Sequence, residues 1–296
     1  MQTHPVCLGT AAFGTAMTKE ESFRILDQFA AMGGRCIDTA NNYAFWRGEG
    51  GESEAVIGEW LANVDRAHFT VMTKIGSQPM EQTPAPRGLE GLSSKAIHRA
   101  VDKSLARLGI DQIDLLLAHH DDPHTSLTET WEALGEQVAK GRVVKIGVSN
   151  YSTQRLAELV QIVDDQKLVP LEVLQLQYSP LVPVAQTDAM LVRFDTSMRD
   201  LVAQILPHAI VFAYSPLLGG RVFDIAEDAD WPAAYDTQAN REQVAHFRRQ
   251  AQSMDVSVSA LVLKRIADAG LYPITATSKV DRLVENLALF AGASDQ

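Results

Sequence analysis

Along the chain, short runs that are apolar at nearly every position alternate with stretches in which apolar residues recur every three or four positions. The first pattern suits a strand covered on both faces, the second a helix with one buried stripe. The strand-like runs are VCLGTAAFG (6–14), RCIDTA (35–40), FTVMTKIG (69–76), IDLLLAH (113–119), VVKIGVSN (143–150), LEVLQLQY (171–178), AIVFAYSP (209–216) and LYPITATS (271–278). Between them lie helix-like segments. EESFRILDQFAAMG and SEAVIGEWL follow the first two runs, and Ile97, Val101, Leu105 and Leu108 mark a helical face after the third. LTETWEALGEQVAKG ends on Gly141, which suits a helix C-terminus, and Leu156, Leu159, Val160 and Val163 form another stripe.

Strands alternating with helices imply right-handed βαβ units and a parallel sheet. Eight of them favour an α/β fold of the closed (β/α)8 TIM-barrel type over an open doubly wound sheet, with 1–296 as a single domain. Two regions break the alternation. Residues 77–92 are rich in Pro and Gly and read as a loop; 179–200 reads as a long connection in which AMLVRFD is a candidate extra strand.

Composition narrows the picture. The chain is 46% hydrophobic and 21% charged, as expected of a globular protein with a large core. Its net charge of −11, spread along the chain, argues against nucleic-acid and anionic-membrane partners but not against a locally bound anion. Cys7 and Cys36 lie in apolar strand-like runs and are expected as reduced, buried thiols. With no leader-like start and no apolar run near the ~18 residues of a membrane span, a cytoplasmic location is expected.

In a barrel the chemistry sits where strands end. The polar residues at those places are Asp38, Lys74, His119, Ser149, Asn150, Gln175 and Tyr214, with Tyr43 five residues beyond Asp38. Each has a bland explanation as a cap or a loop residue; together they are harder to dismiss. A lysine beside an aspartate is expected to favour the phenolate of a nearby tyrosine, lowering its pKa so that it donates a proton to a developing alkoxide. A neutral histidine adds a second hydrogen bond to the same oxygen. LLLAHHDDPH (115–124) raises a rival reading, a metal-dependent barrel hydrolase, but lysine and tyrosine are uncommon zinc ligands and we expect no metal.

These segments resemble the aldo-keto reductases, NAD(P)H-dependent (β/α)8 barrels, over nearly the whole chain, and specifically their bacterial, channel-subunit-like branch. GGRCIDTANNYAFWRGEGGESEAVIGEWL is similar to the segment carrying the catalytic aspartate and tyrosine, here Asp38 and Tyr43. FTVMTKIG resembles the strand ending in the catalytic lysine, Lys74, and RGLEGLSSKAIHRAVDKSLARLGIDQIDLLLAHHDDP the segment whose catalytic histidine is His119 rather than His120. By the same resemblance, Ser149, Asn150 and Gln175 hold the nicotinamide carboxamide, and Tyr214 of AYSPLLGG stacks on the ring. Ser215, Leu217 and Gly219 then lie at the pyrophosphate, with Arg221 a candidate clamp. TSKVDRLVENL brings Thr277, Ser278, Arg282, Glu285 and Asn286 to the adenosine end.

The resemblance implies hydride transfer from a reduced nicotinamide to an aldehyde, ketone or keto-sugar carbonyl, with Tyr43 as proton donor. Ala276 stands where relatives that prefer the phosphorylated cofactor often carry lysine, yet Arg282 remains and NADPH is expected over NADH. The short stretches before the first strand and after Asn286 suggest a reduced barrel-floor hairpin and an open substrate pocket. Phe45, Trp46 and Trp231 are candidates for an aromatic substrate wall, or else loop anchors. A non-catalytic, cofactor-binding regulatory or partner protein is the alternative from another class. Oligomeric state is not legible.

Overall fold

Each of the eight apolar runs forms a strand in the computed structural model, which describes residues 5–45, 47–81, 88–185, 190–220, 222–223 and 230–290. β1 (Cys7–Gly9), β2 (Cys36–Asp38), β3 (Thr70–Ile75), β4 (Ile113–Ala118), β5 (Val143–Ser149), β6 (Val173–Gln177), β7 (Ile210–Tyr214) and β8 (Tyr272–Thr275) pair in chain order. Every pairing is parallel and β8 returns to β1, so the sheet is a closed (β/α)8 barrel.

The helices among the described residues are α1 (Lys19–Ala31), α2 (Glu52–Leu61), α3 (Ser94–Leu108), α4 (Leu127–Ala139), α5 (Thr153–Gln166), α6 (Thr196–Ile205), α7 (Gln238–Ser253), α8 (Val258–Asp268) and α9 (Val280–Leu287). Local sequence sets many of their starts. Thr18 and Glu21 form a reciprocal capping box on α1, and Ser93, Ser126, Ser152 and Ser257 accept the third amide of α3, α4, α5 and α8. Each such cap satisfies an amide that has no partner within its helix.

The strand pleat sorts the core into two layers. Cys7, Met72, Leu115, Leu117, Val173, Phe212 and Ile274, taken from alternate positions, form a cluster of their own inside the barrel. Intervening residues such as Leu8, Ile37, Val71, Leu116, Leu174 and Val211 join the helix stripes in the larger core between barrel and helices. At ~1.5–3 kcal/mol for each fully buried aliphatic side chain, these layers dominate the stability of the barrel. One carboxylate is sealed between helices and barrel. Glu54 of α2 is fully buried, accepting from Thr73 Oγ1 at 2.6 Å and Arg107 Nε at 2.7 Å. Gly58 permits that packing, because a Cβ there would stand 2.3 Å from the Arg107 carbonyl oxygen of α3.

Three expectations need correction. α6 begins at Thr196, inside the stretch expected to be a connection, because Asp195 caps it through the Met198 amide. AMLVRFD makes an isolated parallel bridge, Arg193 to Gln177, rather than a strand. β4 ends at Ala118, so His119 lies just past the strand, although its amide still donates to the Ile75 carbonyl at 2.9 Å.

Candidate active site

At the C-terminal mouth of the barrel, β2 ends in Asp38 and β3 carries Lys74 close to its end, and both side chains are almost completely buried. Lys74 Nζ uses its three donors on Asp38 Oδ1 at 2.6 Å, the Thr39 carbonyl at 2.7 Å and the Tyr43 hydroxyl at 2.9 Å. A desolvated ammonium with all three hydrogens placed meets the condition for burying a charge. Gln175 Nε2, from β6, donates to the same Asp38 oxygen at 2.8 Å, while the Tyr43 hydroxyl donates to Asp38 Oδ2 at 3.1 Å.

The loop after β2 brings Tyr43 back to this pair. Backbone bonds from Thr39 to Met72 and from Asn41 to Lys74 continue the β2–β3 pairing past the strand end. Asn42 Nδ2 then bonds the Ser77 carbonyl, and Ala44 adopts a left-handed φ of 68°. Such a φ is uncommon for alanine, and it turns the chain directly behind the tyrosine.

Electrostatics here correct one expectation. The Tyr43 pKa lies well above its usual value, driven first by burial and then by the Asp38 carboxylate. The ammonium of Lys74 is already matched by Asp38, and the low-dielectric setting disfavours a phenolate. Tyr43 therefore holds its proton firmly until a stronger base appears beside it. His119 shifts the other way. Burial, then the Lys74 charge, then His120 push it well below the usual histidine range, so the imidazole is neutral at physiological pH. Its ring lies edge-on to Tyr43, with centroids 6.0 Å apart, and its buried Nδ1 has no hydrogen-bond partner among the described residues.

Tyr43 and His119 open onto a cavity of about 650 Å3 that runs across the mouth to β8 and the start of α9. This size suits an organic ligand. Asn150, in a left-handed conformation at the end of β5, ties the rim together. Its Nδ2 donates to the His119 carbonyl at 3.2 Å and to Ser149 Oγ at 3.0 Å. Its Oδ1 accepts from the Tyr214 hydroxyl at 2.7 Å and the Val192 amide at 3.1 Å. After β7 the chain turns through positive φ at Ser215, Leu218, Gly219 and Gly220, with the Leu218 and Gly220 amides closing the turn on the Ser215 and Leu217 carbonyls. Asn286 donates to Thr275 Oγ1 at 3.3 Å, fixing α9 against β8.

The sequence model of the aldo/keto reductase family matches residues 5–295. The chain belongs to that family. Among proteins similar to this aldo/keto reductase is the uncharacterized oxidoreductase YrpG of Bacillus subtilis, 33% identical over 217 residues, which are 73% of this chain and 63% of that protein. The aryl-alcohol dehydrogenase GME11368 of Pestalotiopsis microspora is 31% identical over 207 residues, 64% of this chain and 53% of the relative. The norsolorinic acid reductase stcV of Emericella nidulans is 38% identical over 160 residues, 51% and 40%. The match thus spans less than two thirds of each of these relatives.

Most residues singled out from the sequence of this aldo/keto reductase meet at the cavity. Asp38, Tyr43, His119, Ser149, Asn150, Gln175, Tyr214, Ser215, Leu217, Gly219, Thr277, Ser278, Arg282 and Asn286 all line it, and Lys74 stands behind Tyr43. Glu285 instead faces a smaller neighbouring hollow that shares Arg282 and Asn286. Phe45 is half-buried and off the cavity lining. Trp231 packs into the outer core with Arg241 over its ring at 4.9 Å, so it anchors a loop rather than forming a substrate wall. Trp46 and Arg221 lie outside the described residues.

The LLLAHHDDPH question also resolves structurally. Asp121 is gripped by Arg155 through both carboxylate oxygens, and Asp122 accepts from Leu92 N, His124 N and Thr125 Oγ1, so these carboxylates fasten loops. Sequence reasoning missed Lys279, Leu191 and His120 as lining residues. Lys279 was readable as a cation three residues before Arg282; Leu191 was not, because it is held at the cavity by bonds that Val192 and Phe194 make to Gln177 and Asn150, residues distant in the sequence.

Proposed function

We propose that this aldo/keto reductase reduces the carbonyl group of an aldehyde or ketone, with NADPH as reductant. The observation carrying the reading is the Asp38–Lys74–Tyr43 cluster opening onto the cavity beside a neutral His119. The cavity also suits the cofactor. It has a tyrosine ring and amide groups at one end, the turn after β7 along its wall, and Lys279 and Arg282 at the other end. A reduced nicotinamide, when bound, supplies the hydride.

The protein's own groups do the rest. His119 and Tyr43 orient the carbonyl oxygen by hydrogen bonds, and Tyr43 turns its hydroxyl from Asp38 toward the oxygen as negative charge grows there. Lys74 then stabilises the phenolate left behind, held in place by Asp38 and the Thr39 carbonyl. The raised tyrosine pKa fits a group that parts with its proton only to an alkoxide. Two cations at the adenosine end favour a 2′-phosphate, which is the basis for NADPH over NADH. Two of the relatives are named as an aryl-alcohol dehydrogenase and a norsolorinic acid reductase, which makes aryl carbonyls the first substrates to try.

The test is consumption of NADPH and of NADH with a panel of aryl aldehydes, aryl ketones, diketones and keto-sugars. Turnover with at least one class, and tighter binding of NADPH, is expected. Cofactor binding with no turnover across the panel would instead support a non-catalytic partner protein.

A further inference from the structure

The described mechanism leaves one reactive pair unused. Cys7 on β1 and Cys36 on β2 are the chain's cysteines, both are free, and they are direct register partners in the parallel sheet. Register partners on neighbouring parallel strands point to the same side of the sheet, here the barrel interior, where Cys7 and Met72 share a cluster that Cys36 packs against. The neighbouring Cys36 side chain adds to burial in raising the Cys7 pKa. Neighbouring strands lie about 4.8 Å apart, inside the roughly 4.4–6.8 Å Cα separation that a disulfide spans. Cys7 is fully buried, while Cys36, at the start of β2 on the barrel floor, keeps part of its surface open.

We propose that Cys7 and Cys36 form a dithiol site that hydrogen peroxide converts to an intramolecular disulfide. Cys36 is the thiol that meets the oxidant. Its thiolate sulfur attacks one peroxide oxygen, the O–O bond breaks, and the departing hydroxide takes up a proton to leave as water, giving a sulfenic acid. The Cys7 sulfur then attacks the Cys36 sulfur; the S–S bond forms, the S–O bond breaks, and the Cys7 proton leaves with that hydroxide as a second water. Two thiols are oxidised and one peroxide is reduced to two waters. Burial keeps the Cys7 thiol protonated well above the ordinary thiol range, which makes it the poorer first nucleophile of the two.

The site is wired to the mouth of the barrel. Cys7 and Cys36 each stand two residues before a residue lining the cavity, Gly9 and Asp38, on the same strands. A disulfide there would fix the spacing of β1 and β2 two residues below the carboxylate that holds Lys74.

The experiment treats the purified protein with hydrogen peroxide, denatures it in N-ethylmaleimide and records the intact mass. The expected result is loss of two hydrogens, no maleimide adduct, and a peptide linking residues 7 and 36. In Cys7→Ser the same treatment should add oxygens at Cys36, because no resolving thiol remains. Wild-type protein that gains oxygens as the variant does, or that keeps both thiols open to maleimide, overturns the proposal. A second arm follows NADPH turnover, and rests on the function proposed above. Turnover should fall on oxidation and return with dithiothreitol. A disulfide that forms with turnover unchanged removes the coupling to the mouth but leaves the modification site standing. If reduced protein turns over nothing, the functional reading fails while the mass result still judges the dithiol.

Discussion

Inside one barrel, two layers built by the same strands have opposite characters. The lower layer, with Met72, Leu115, Leu117, Val173 and Phe212, is apolar. The upper one, with Asp38, Lys74, Gln175 and Ser149, is polar, buried and nearly saturated with hydrogen bonds. They touch: Gln175 Nε2 lies 3.5 Å from Met72 Sδ. The contrast teaches why the mouth is reactive. An apolar floor denies water to the ion pair above it, so burial and the Asp38 charge act strongly on Tyr43, and burial and the Lys74 charge on His119. The lower layer supplies stability and low dielectric, the upper one specific donors.

Breaking the pair from one side should have the largest effect on stability. Lys74→Met leaves the Asp38 carboxylate buried without its cation, and a loss of about 3–5 kcal/mol in urea unfolding is expected. The double variant Asp38→Leu/Lys74→Met should recover much of that loss while remaining inactive. If it stays as unstable as the single variant, the pair serves the fold rather than the chemistry. In the floor, Leu117→Ala opens a void and should cost about 2–4 kcal/mol. At temperatures where that variant is folded, turnover per folded molecule should change far less than in Lys74→Met; an equal loss would mean that the layers are not separable.

Proton linkage gives a smaller, signed effect. The folded pKa of His119 is depressed, whereas an unfolded histidine titrates near ~6.5. As pH falls below that value the unfolded chain takes up a proton that the native site refuses, so stability declines toward the lower folded pKa. His119→Asn should flatten this slope between pH 7 and 5, and an unchanged slope would show that His119 already titrates normally. The smallest change is Tyr214→Phe, which keeps the ring but removes one hydrogen bond to Asn150. A loss of about 0.5–1.5 kcal/mol in melting experiments is expected; a larger one would make Asn150 a structural hub rather than a rim residue.

The floor was far more legible in the sequence than the rim. Runs such as IDLLLAH declare a strand buried on both faces, and the pleat then sends Leu115 and Leu117 inward without further information. Asp38, Lys74 and His119 were readable because strand ends fix their height in the barrel, and Tyr43 because it follows Asp38 at short range. Less visible was what depends on long loops. α7 has a sparse stripe of Asn240, Val244, Phe247 and Ala251, too polar to stand out, and Leu191 is held at the cavity by bonds from its irregular segment to Gln177 and Asn150. Trp231 shows the opposite case, a large aromatic whose sequence leaves a ligand role and a loop anchor equally open and which packs against Arg241 and the core. The direction of the tyrosine shift was also out of reach, since it turns on whether burial and Asp38 outweigh Lys74, a balance that composition does not contain.

The central claim is that the Tyr43 hydroxyl delivers the proton, and Tyr43→Phe tests it with the ring and the floor intact. NADPH titration should give wild-type affinity, and single-turnover reduction of an aryl aldehyde should fall to background, with the wild-type rate holding steady past pH ~10, where free tyrosine ionises, because the Tyr43 pKa is raised above that value. Reduction by Tyr43→Phe at the wild-type rate would contradict the account.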